Sequence, residues 1–458
     1  MTIGTLETLL RRVADDSPVK IALTIAGSDS IGGAGVQADL KAFASLGVHG
    51  CSAITCLTAQ NTTGIRRVEA IGSDLVREQI LAVLEDMRPG AVKTGAVYTS
   101  ENVRTVAEIL SGREVPLIID PVLVSTTGAK LAEEDFALSL KRHLIPLCAL
   151  VTPNSSEAER LTGIRVFDAE QAAKSAEQLL SMGASGVLIK GIVEGDKVTD
   201  FLHMADGTVR ELSSNVLQGE FHGTGCILSA LIAGHIALGD DVCTAVANAR
   251  GAVFLAMQRG AQLGKGIKII DPLGGIMIEA GKSGILESLY AQKDVLEKDL
   301  PVELIPEVGS NLAFSLCSPG SEQEIAGYTG RIVRDGRKAK VVGCPRFGAS
   351  KHVARIILAA SKHDSAIRSA MNIKYNERNL GACKKAGLRM SSFSREEEPE
   401  GVSTMDWGTG AAIKKAGYVP DAIWDEGGHG KEPMIRILGR NPEDVLRKVS
   451  LISSELRK

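Results

Sequence analysis

The chain has 458 residues, is 44% hydrophobic and carries a net charge of −3. That length predicts two or three domains at roughly 100–200 residues each. Aromatic residues make up only 3%, which argues against base-stacking platforms for nucleic acid. The eight cysteines include no Cys-x-x-Cys pair, which argues against a zinc site or a disulfide framework.

The charge is unevenly divided. Residues 1–300 hold 27 Lys and Arg against 36 Asp and Glu, a balance of −9. Residues 301–458 hold 25 against 19, a balance of +6, so the second part favours anionic ligands. No signal-peptide pattern and no long apolar segment are present, and a cytoplasmic protein without a membrane partner is expected.

Residues 1–17 form an N-terminal extension with a short amphipathic helix expected at 5–13. A buried strand then begins after Lys20, with the run Ile-Ala-Leu-Thr-Ile-Ala, and ends in Gly27-Ser28-Asp29-Ser30-Ile31-Gly32-Gly33-Ala34-Gly35. A helix opens at Val36. Strand, glycine-rich turn and helix open an α/β unit. Asp29, at the strand's carboxyl end, is placed to hydrogen-bond a ligand. The glycine spacing does not fit G-x-G-x-x-G, which excludes a dinucleotide fold.

The alternation continues. Strands are expected at 50–59, 91–94, 117–122, 150–152 and 186–191, a helix at 75–87 and a hairpin at 198–212. A doubly wound, mostly parallel sheet follows, with ligands at strand carboxyl ends. Polar groups recur there: Asp29, Gln60, Asp120, Asn154 with Glu157, and Lys190. Each alone has an ordinary structural reading. Asp120 before Pro121 can cap a turn, and Glu157 can be a solvated helix residue.

Next comes Gln218-Gly-Glu-Phe-His222-Gly223-Thr224-Gly225-Cys226, followed by an apolar run from Ile227 with helical periodicity. Gly223, Thr224 and Gly225 should open this helix and turn several amides toward an anion. Cys226, on the first turn, is expected to have a lowered pKa. A glycine turn before a buried helix is the plainer alternative.

The stretches 26–41, 59–62, Thr152-Pro153-Asn154-x-x-Glu157, Lys190-Gly191 and His222-Gly-Thr-Gly-Cys226 together resemble hydroxymethylpyrimidine (phosphate) kinases of the ribokinase-like superfamily. The resemblance runs from about residue 20 to about 271. It implies ATP-dependent phosphorylation of the aminopyrimidine and then of its monophosphate. It also implies that Asp29 and Gln60, with Gly27, hold the pyrimidine. Cys226 would stand where sugar kinases have the base, and Gly223, Thr224 and Gly225 would stabilise the transferring phosphoryl group. Lys190 would neutralise nucleotide phosphate, and Asp120, Asn154 and Glu157 would help place Mg²⁺.

Residues 273–301 read as a helical linker ending at Pro301. Beyond it, Arg331 follows Thr329-Gly330, and Ser350 should N-cap a helix carrying Lys351, His352 and Arg355. His352 and Arg355, one turn apart, are expected on one face as a phosphate or diphosphate site. A capped surface helix with solvated charges is the alternative. Residues 394–401 read as an exposed loop, and Met405 and Trp407 as core. The glycines around Lys431 suggest backbone close to an anion.

These signals, from about 304 to 442, resemble the ThiN-type thiamine-phosphate synthases fused behind such kinases in archaea. The resemblance implies a three-layer α/β/α domain like class II aldolases. Aldolase chemistry is not expected, because the chain has no His-x-His pair. The implied reaction couples the pyrimidine diphosphate to thiazole phosphate, with Arg331 and His352 central and Arg355 and Lys431 on substrate. The expectation is therefore an extension (1–17), a kinase (18–272), a linker (273–301) and a synthase (302–458). ATP and Mg²⁺ are its cofactors, its partners are small-molecule substrates, and it forms a homo-oligomer. A kinase with a thiamine-phosphate-sensing second domain, or a pyridoxal kinase, are the competing expectations.

Overall fold

The computed structural model describes residues 18–123, 135–395, 404–428 and 431–458. The helix expected within 1–17, the loop at 394–401 beyond Arg395, and two of the residues before Lys431 lie outside the described residues. The chain divides between Ile276 and Met277 into two compact units.

The first unit is built on strands β1 (Ile21–Asp29), β2 (His49–Asn61), β3 (Gly64–Ala70), β4 (Ala91–Thr94), β5 (Leu117–Ile119), β6 (Leu150–Val151), β7 (Gly186–Glu194), β8 (Lys197–Met204) and β9 (Val209–Asn215). Their order is β3-β2-β1-β4-β5-β6-β7-β8-β9. Pairing is parallel from β2 through β7 and antiparallel at both edges. The sheet is therefore mostly parallel, as expected.

The strand sequences explain why it is covered on both faces. Successive side chains point to opposite sides. Leu23, Ile25, Val92, Leu117, Ile119, Val151, Val187 and Ile189 enter one core. Their neighbours Ala22, Ala91, Ile118, Leu150 and Leu188 enter the other, against helices Gly35–Ser45, Thr224–Leu238 and Val242–Gln258. Two-sided burial makes these strands predominantly apolar, with Lys93 and Lys190 as buried exceptions. The sequence gives no such signal for β3, most of whose residues are exposed at the sheet edge. Two short strands, β10 (Phe221–His222) and β11 (Lys268–Ile269), pair in parallel and bring the approach to Gly223 into place.

The second unit has a seven-stranded sheet. It comprises β12 (Leu312–Ser315), β13 (Ile325–Tyr328), β16 (Pro345–Phe347), β17 (Ser369–Lys374), β18 (Met390–Ser392), β19 (Ala422–Asp425) and β20 (Met434–Gly439), ordered β16-β13-β12-β17-β20-β19-β18. Only the β18–β19 pairing is parallel among these described strands. A separate ribbon joins β14 (Ile332–Asp335) to β15 (Lys338–Val341).

Helices Glu377–Lys385 and Pro442–Leu456 cover one face of this sheet. Helices Lys351–Ser361 and Thr404–Ala416 cover the other. The result is three layers. The stretch 273–301 is largely helical, and its Ile285, Leu289, Leu296 and Leu300 are buried in the core of this unit.

Candidate active sites

In the first unit the helix Thr224–Leu238 is apolar all round and buried, so its start is held rigidly. Gly223 occupies its N-cap position at φ 86°, and no side chain caps the helix. A Cβ on Gly223 would lie 1.8 Å from Gly33 O, so only glycine permits this approach of two loops. The first amides of the helix, at Thr224, Gly225 and Cys226, carry the positive end of its dipole.

Charged side chains converge on that turn. Lys190 Nζ lies 2.9 Å from Asp120 Oδ1, and a Cβ on Gly225 would lie 3.3 Å from Lys190 Nζ. Burial works against the Lys190 charge, but Asp120 and Glu157 outweigh it and raise its pKa. Asn154 N-caps the helix Ser155–Thr162 in a capping box. Its Oδ1 accepts from Glu157 N–H at 2.9 Å, and Glu157 Oε2 accepts from Asn154 N–H at 2.9 Å. Burial pushes the Glu157 carboxyl up to about 7, opposed by Lys190 and reinforced by Asp120.

Cys226 stands on the first turn as expected, but its thiol does not behave as expected. Burial pushes it up to about 12, although Lys93 and the Gly35 amide favour the thiolate. Here desolvation outweighs the helix start. The residue keeps partial exposure overall, and the enclosure falls on the sulfur.

Asp29 is tied into the glycine loop. Its Oδ1 accepts from Ile31 N–H at 3.1 Å, and its Oδ2 from Gly33 N–H at 3.0 Å and Ala34 N–H at 2.8 Å. His222 Nε2 lies 3.2 Å from the same Oδ2. Burial raises the Asp29 pKa, but His222 and the backbone amides more than compensate and hold it low. Both oxygens serve the glycine loop, so Asp29 shapes that loop, and Oδ1, with one such partner, keeps a lone pair for a further donor. Gln60 Nε2 lies 2.8 Å from His222 Nε2, so Gln60 is half-exposed beside the same imidazole. Gly27, within β1, lies tight against β2; a Cβ there would lie 2.6 Å from Cys56 Sγ.

Sequence reasoning missed Lys93 and Asp39. Both are fully buried, with Lys93 Nζ 2.7 Å from Asp39 Oδ2, which also accepts from Thr24 Oγ1 at 2.6 Å. The signal was present: a lysine inside a short strand whose other residues are uncharged.

In the second unit a cavity of about 610 Å³ is lined by Arg331, Lys351, His352, Arg395, Lys431 and Arg436, with Asn311 and Asn372 among its other walls. Arg331 has the left-handed φ of 69°, which is rare for a residue with a side chain. Its guanidinium donates to Val308 O, and it packs over Gly309, itself at φ 80°. Asn311 Nδ2 donates to Tyr328 O at 2.8 Å, and Asn372 Nδ2 to Gly309 O at 3.0 Å, fixing the loop under Arg331.

Three of the four expected residues, Arg331, His352 and Lys431, line this cavity. Arg355 is not among its lining residues: its Nε donates to Glu322 Oε1 at 2.6 Å. Three residues along a helix rotate a side chain by about 300°, which leaves room for this divergence. Ser350 holds the N-cap position of Lys351–Ser361, but its hydroxyl makes no capping bond. His352 is solvent-exposed on the wall of the cavity. Desolvation, then the charges of Arg331, Arg355, Arg436 and Arg395, hold its pKa below the ordinary value, so the ring is neutral at pH 7. Met405 both packs in the core and lines the cavity; Trp407 packs edge-on to Phe393.

The comparisons with known proteins follow this division. The family model described as phosphomethylpyrimidine kinase matches residues 29–271, and that of thiamine-phosphate synthase ThiN matches residues 290–450. The bifunctional thiamine biosynthesis protein ThiDN of Methanocaldococcus jannaschii is 33% identical over 433 residues, covering 94% of this chain and 98% of the relative. The hydroxymethylpyrimidine/phosphomethylpyrimidine kinase of Synechococcus elongatus is 43% identical over 254 residues, 54% of this chain and 95% of that one. Bacillus subtilis pyridoxal kinase, solved as an ADP complex, superposes with a TM-score of 0.52 at 28% identity, covering 57% of this chain and 100% of that one. No helix among the described residues is long and apolar enough to cross a membrane. A kinase unit and a synthase unit in one thiamine-biosynthetic chain make this protein a member of the phosphomethylpyrimidine kinase family in its bifunctional, ThiN-fused form.

Proposed function

We propose that the first unit uses ATP to phosphorylate hydroxymethylpyrimidine and then its monophosphate, and that the second unit joins the diphosphate to thiazole phosphate. The observation that carries the first half is the uncapped helix start at Gly223 meeting the Lys190–Asp120 pair. Fixed amides and a buried ammonium there offer a migrating phosphoryl group the charge it needs. In each kinase step the pyrimidine's hydroxyl (then phosphate) oxygen forms the new P–O bond, and the bond to ADP breaks.

In this reading Cys226, on the first turn of that helix, accepts a hydrogen bond from the attacking hydroxyl. Burial keeps its resting thiol protonated, so it positions that hydroxyl and does not act as the base; the hydroxyl proton passes to an oxygen of the transferred phosphoryl group. A loose transition state asks for positioning before basicity. Gln60 remains the group for the pyrimidine's edge, and Asp29 and His222 fix its loop.

The donor set fits Mg²⁺. Asp120 and Glu157 supply hard oxygens, and a divalent charge would relieve the cost of ionising Glu157 beside Asp120. Bound Mg²⁺ would neutralise nucleotide phosphate oxygens. Asn154 contributes by holding Glu157, since its own oxygen caps the helix.

For the synthase, the diphosphate leaves the pyrimidine methylene with the bonding pair, and the thiazole nitrogen's lone pair forms the new bond. Arg331 and Lys351, at the open start of Lys351–Ser361, are suited to stabilise that leaving anion. Neutral His352 offers a hydrogen bond without opposing the cations.

The deciding assay supplies hydroxymethylpyrimidine, ATP and thiazole phosphate to the purified chain and looks for thiamine monophosphate. Preferential phosphorylation of pyridoxal in competition, the activity named for the Bacillus subtilis relative, would sink the kinase half. Light scattering tests the expected homo-oligomer, and cell fractionation the cytoplasmic location.

A further inference from the structure

One buried group in the synthase cavity has no role in the coupling described so far. Arg436, in the middle of β20, is 1% exposed and lines the cavity, yet neither Nη1 nor Nη2 has a hydrogen-bond partner. Asp425 Oδ2 is 2.6 Å from Nη2, close enough for an ion pair but not aligned as a hydrogen bond. The guanidinium lies over the Phe393 ring at 5.2 Å, which fixes its plane. Arg395 shares the same carboxylate, with its Nε 2.5 Å from Asp425 Oδ1. Two arginines therefore share one buried acid, and a net positive charge remains at the cavity wall.

Buried donors without acceptors are costly, and native proteins keep few of them. An arriving oxyanion would satisfy both nitrogens at once, in the two-pronged geometry that suits guanidinium and phosphate. The position matters as well. Arg331 follows β13 and Arg436 lies on β20, with β12 and β17 between them. Those three strand spacings amount to about 14 Å. The cavity thus has two cationic ends. The Arg331 end adds Lys351 and an uncapped helix start, which suits a diphosphate. At the Arg436 end, Arg395, Arg436 and Asp425 together carry one net positive charge, which suits a single phosphate.

We propose that Arg436, braced by Asp425 and Phe393 and joined by Arg395, binds the lone phosphate of the thiazole substrate at the end of the cavity opposite the leaving diphosphate. This rests on the coupling reaction proposed above.

The test compares thiazole phosphate with its dephosphorylated alcohol as coupling substrates for the full-length chain, in wild type and Arg436→Lys. The expected result is a fall of about tenfold or more in the preference for the phosphate, the effect of losing one charged pair. The KM for pyrimidine diphosphate should stay within about twofold, well below the cost of such a pair. General structural damage would lower both substrates and leave their ratio intact; an unchanged ratio overturns the proposal. A rise in KM for the pyrimidine diphosphate alone does so too. Arg395→Gln supplies the same ratio if the Lys variant does not fold.

Calorimetric titration of both forms with inorganic phosphate and with pyrophosphate separates this proposal from the activity. Weakened phosphate binding with pyrophosphate binding kept supports the subsite even if the wild type makes no thiamine phosphate. Unchanged phosphate binding overturns it.

Discussion

The Lys93 ammonium and the Asp39 carboxylate meet at 2.7 Å with neither side chain exposed, and Cys226 lies in the field of both. For each member burial opposes the charge. Asp39 stays raised in spite of Lys93, and Lys93 is raised because Asp39 and Cys226 outweigh its desolvation. One carboxylate oxygen, Asp39 Oδ1, has no partner. Such a pair is a poor source of net stability but is costly to halve.

Lys93→Met should destabilise the first unit by about 3–5 kcal/mol, because it strands a buried carboxylate. The double variant Lys93→Met, Asp39→Leu should recover much of that loss. Urea unfolding checks this; a double variant as unstable as the single one would show that the pair's packing, not its charge, is what matters.

Cys226→Ala should lower pyrimidine phosphorylation by about 10²-fold, the cost of misplacing the attacking hydroxyl. Circular dichroism should remain unchanged. Because burial pushes the thiol up to about 12, Cys226 should resist iodoacetamide at pH 8. Peptide mass spectrometry reads that directly, with exposed Cys317 and Cys344 as internal controls. Near-normal turnover in Cys226→Ala would remove the residue from the mechanism.

Glu157 makes stability depend on pH. Its carboxyl is raised from 4.5 to about 7, so the folded state binds the proton more tightly than the unfolded chain. Its contribution is fully present below about pH 4.5 and is lost as pH rises through about 7. Glu157→Gln keeps an oxygen for the Asn154 amide but cannot ionise. Between pH 4.5 and 7 the wild type should lose about 2 kcal/mol relative to that variant. Denaturant titrations at the two pH values give the difference; parallel curves for the two proteins would refute the assignment.

Arg331→Ala and His352→Ala should each cripple coupling while the kinase steps continue. If both activities fell together, two separate sites would be untenable. Arg331 also holds a left-handed backbone, so Arg331→Gly should be more stable than Arg331→Ala by about 1 kcal/mol, although both lose coupling. Thermal unfolding ranks the two variants. Equal stability would mean that the backbone conformation at 331 relaxes once the guanidinium is gone.

Much of this protein was legible in its sequence alone. Apolar runs such as Ile21–Asp29 announced the parallel sheet, the glycines from 223 to 225 announced the open helix start, and Arg331, His352 and Lys431 do line one cavity. Those features are local: period, turn chemistry and residue type survive without knowledge of neighbours. What only the tertiary structure decided was which polar groups meet, and how dry they are. Lys93 and Asp39 are 54 positions apart, Lys190 and Asp120 are 70 apart, and His222 and Asp29 are 193 apart. Desolvation and long-range pairing set the Cys226 thiol, engaged the Asp29 carboxylate, drew Arg355 to Glu322 and left Arg436 unsatisfied. These are sums over surroundings that no stretch of chain contains by itself.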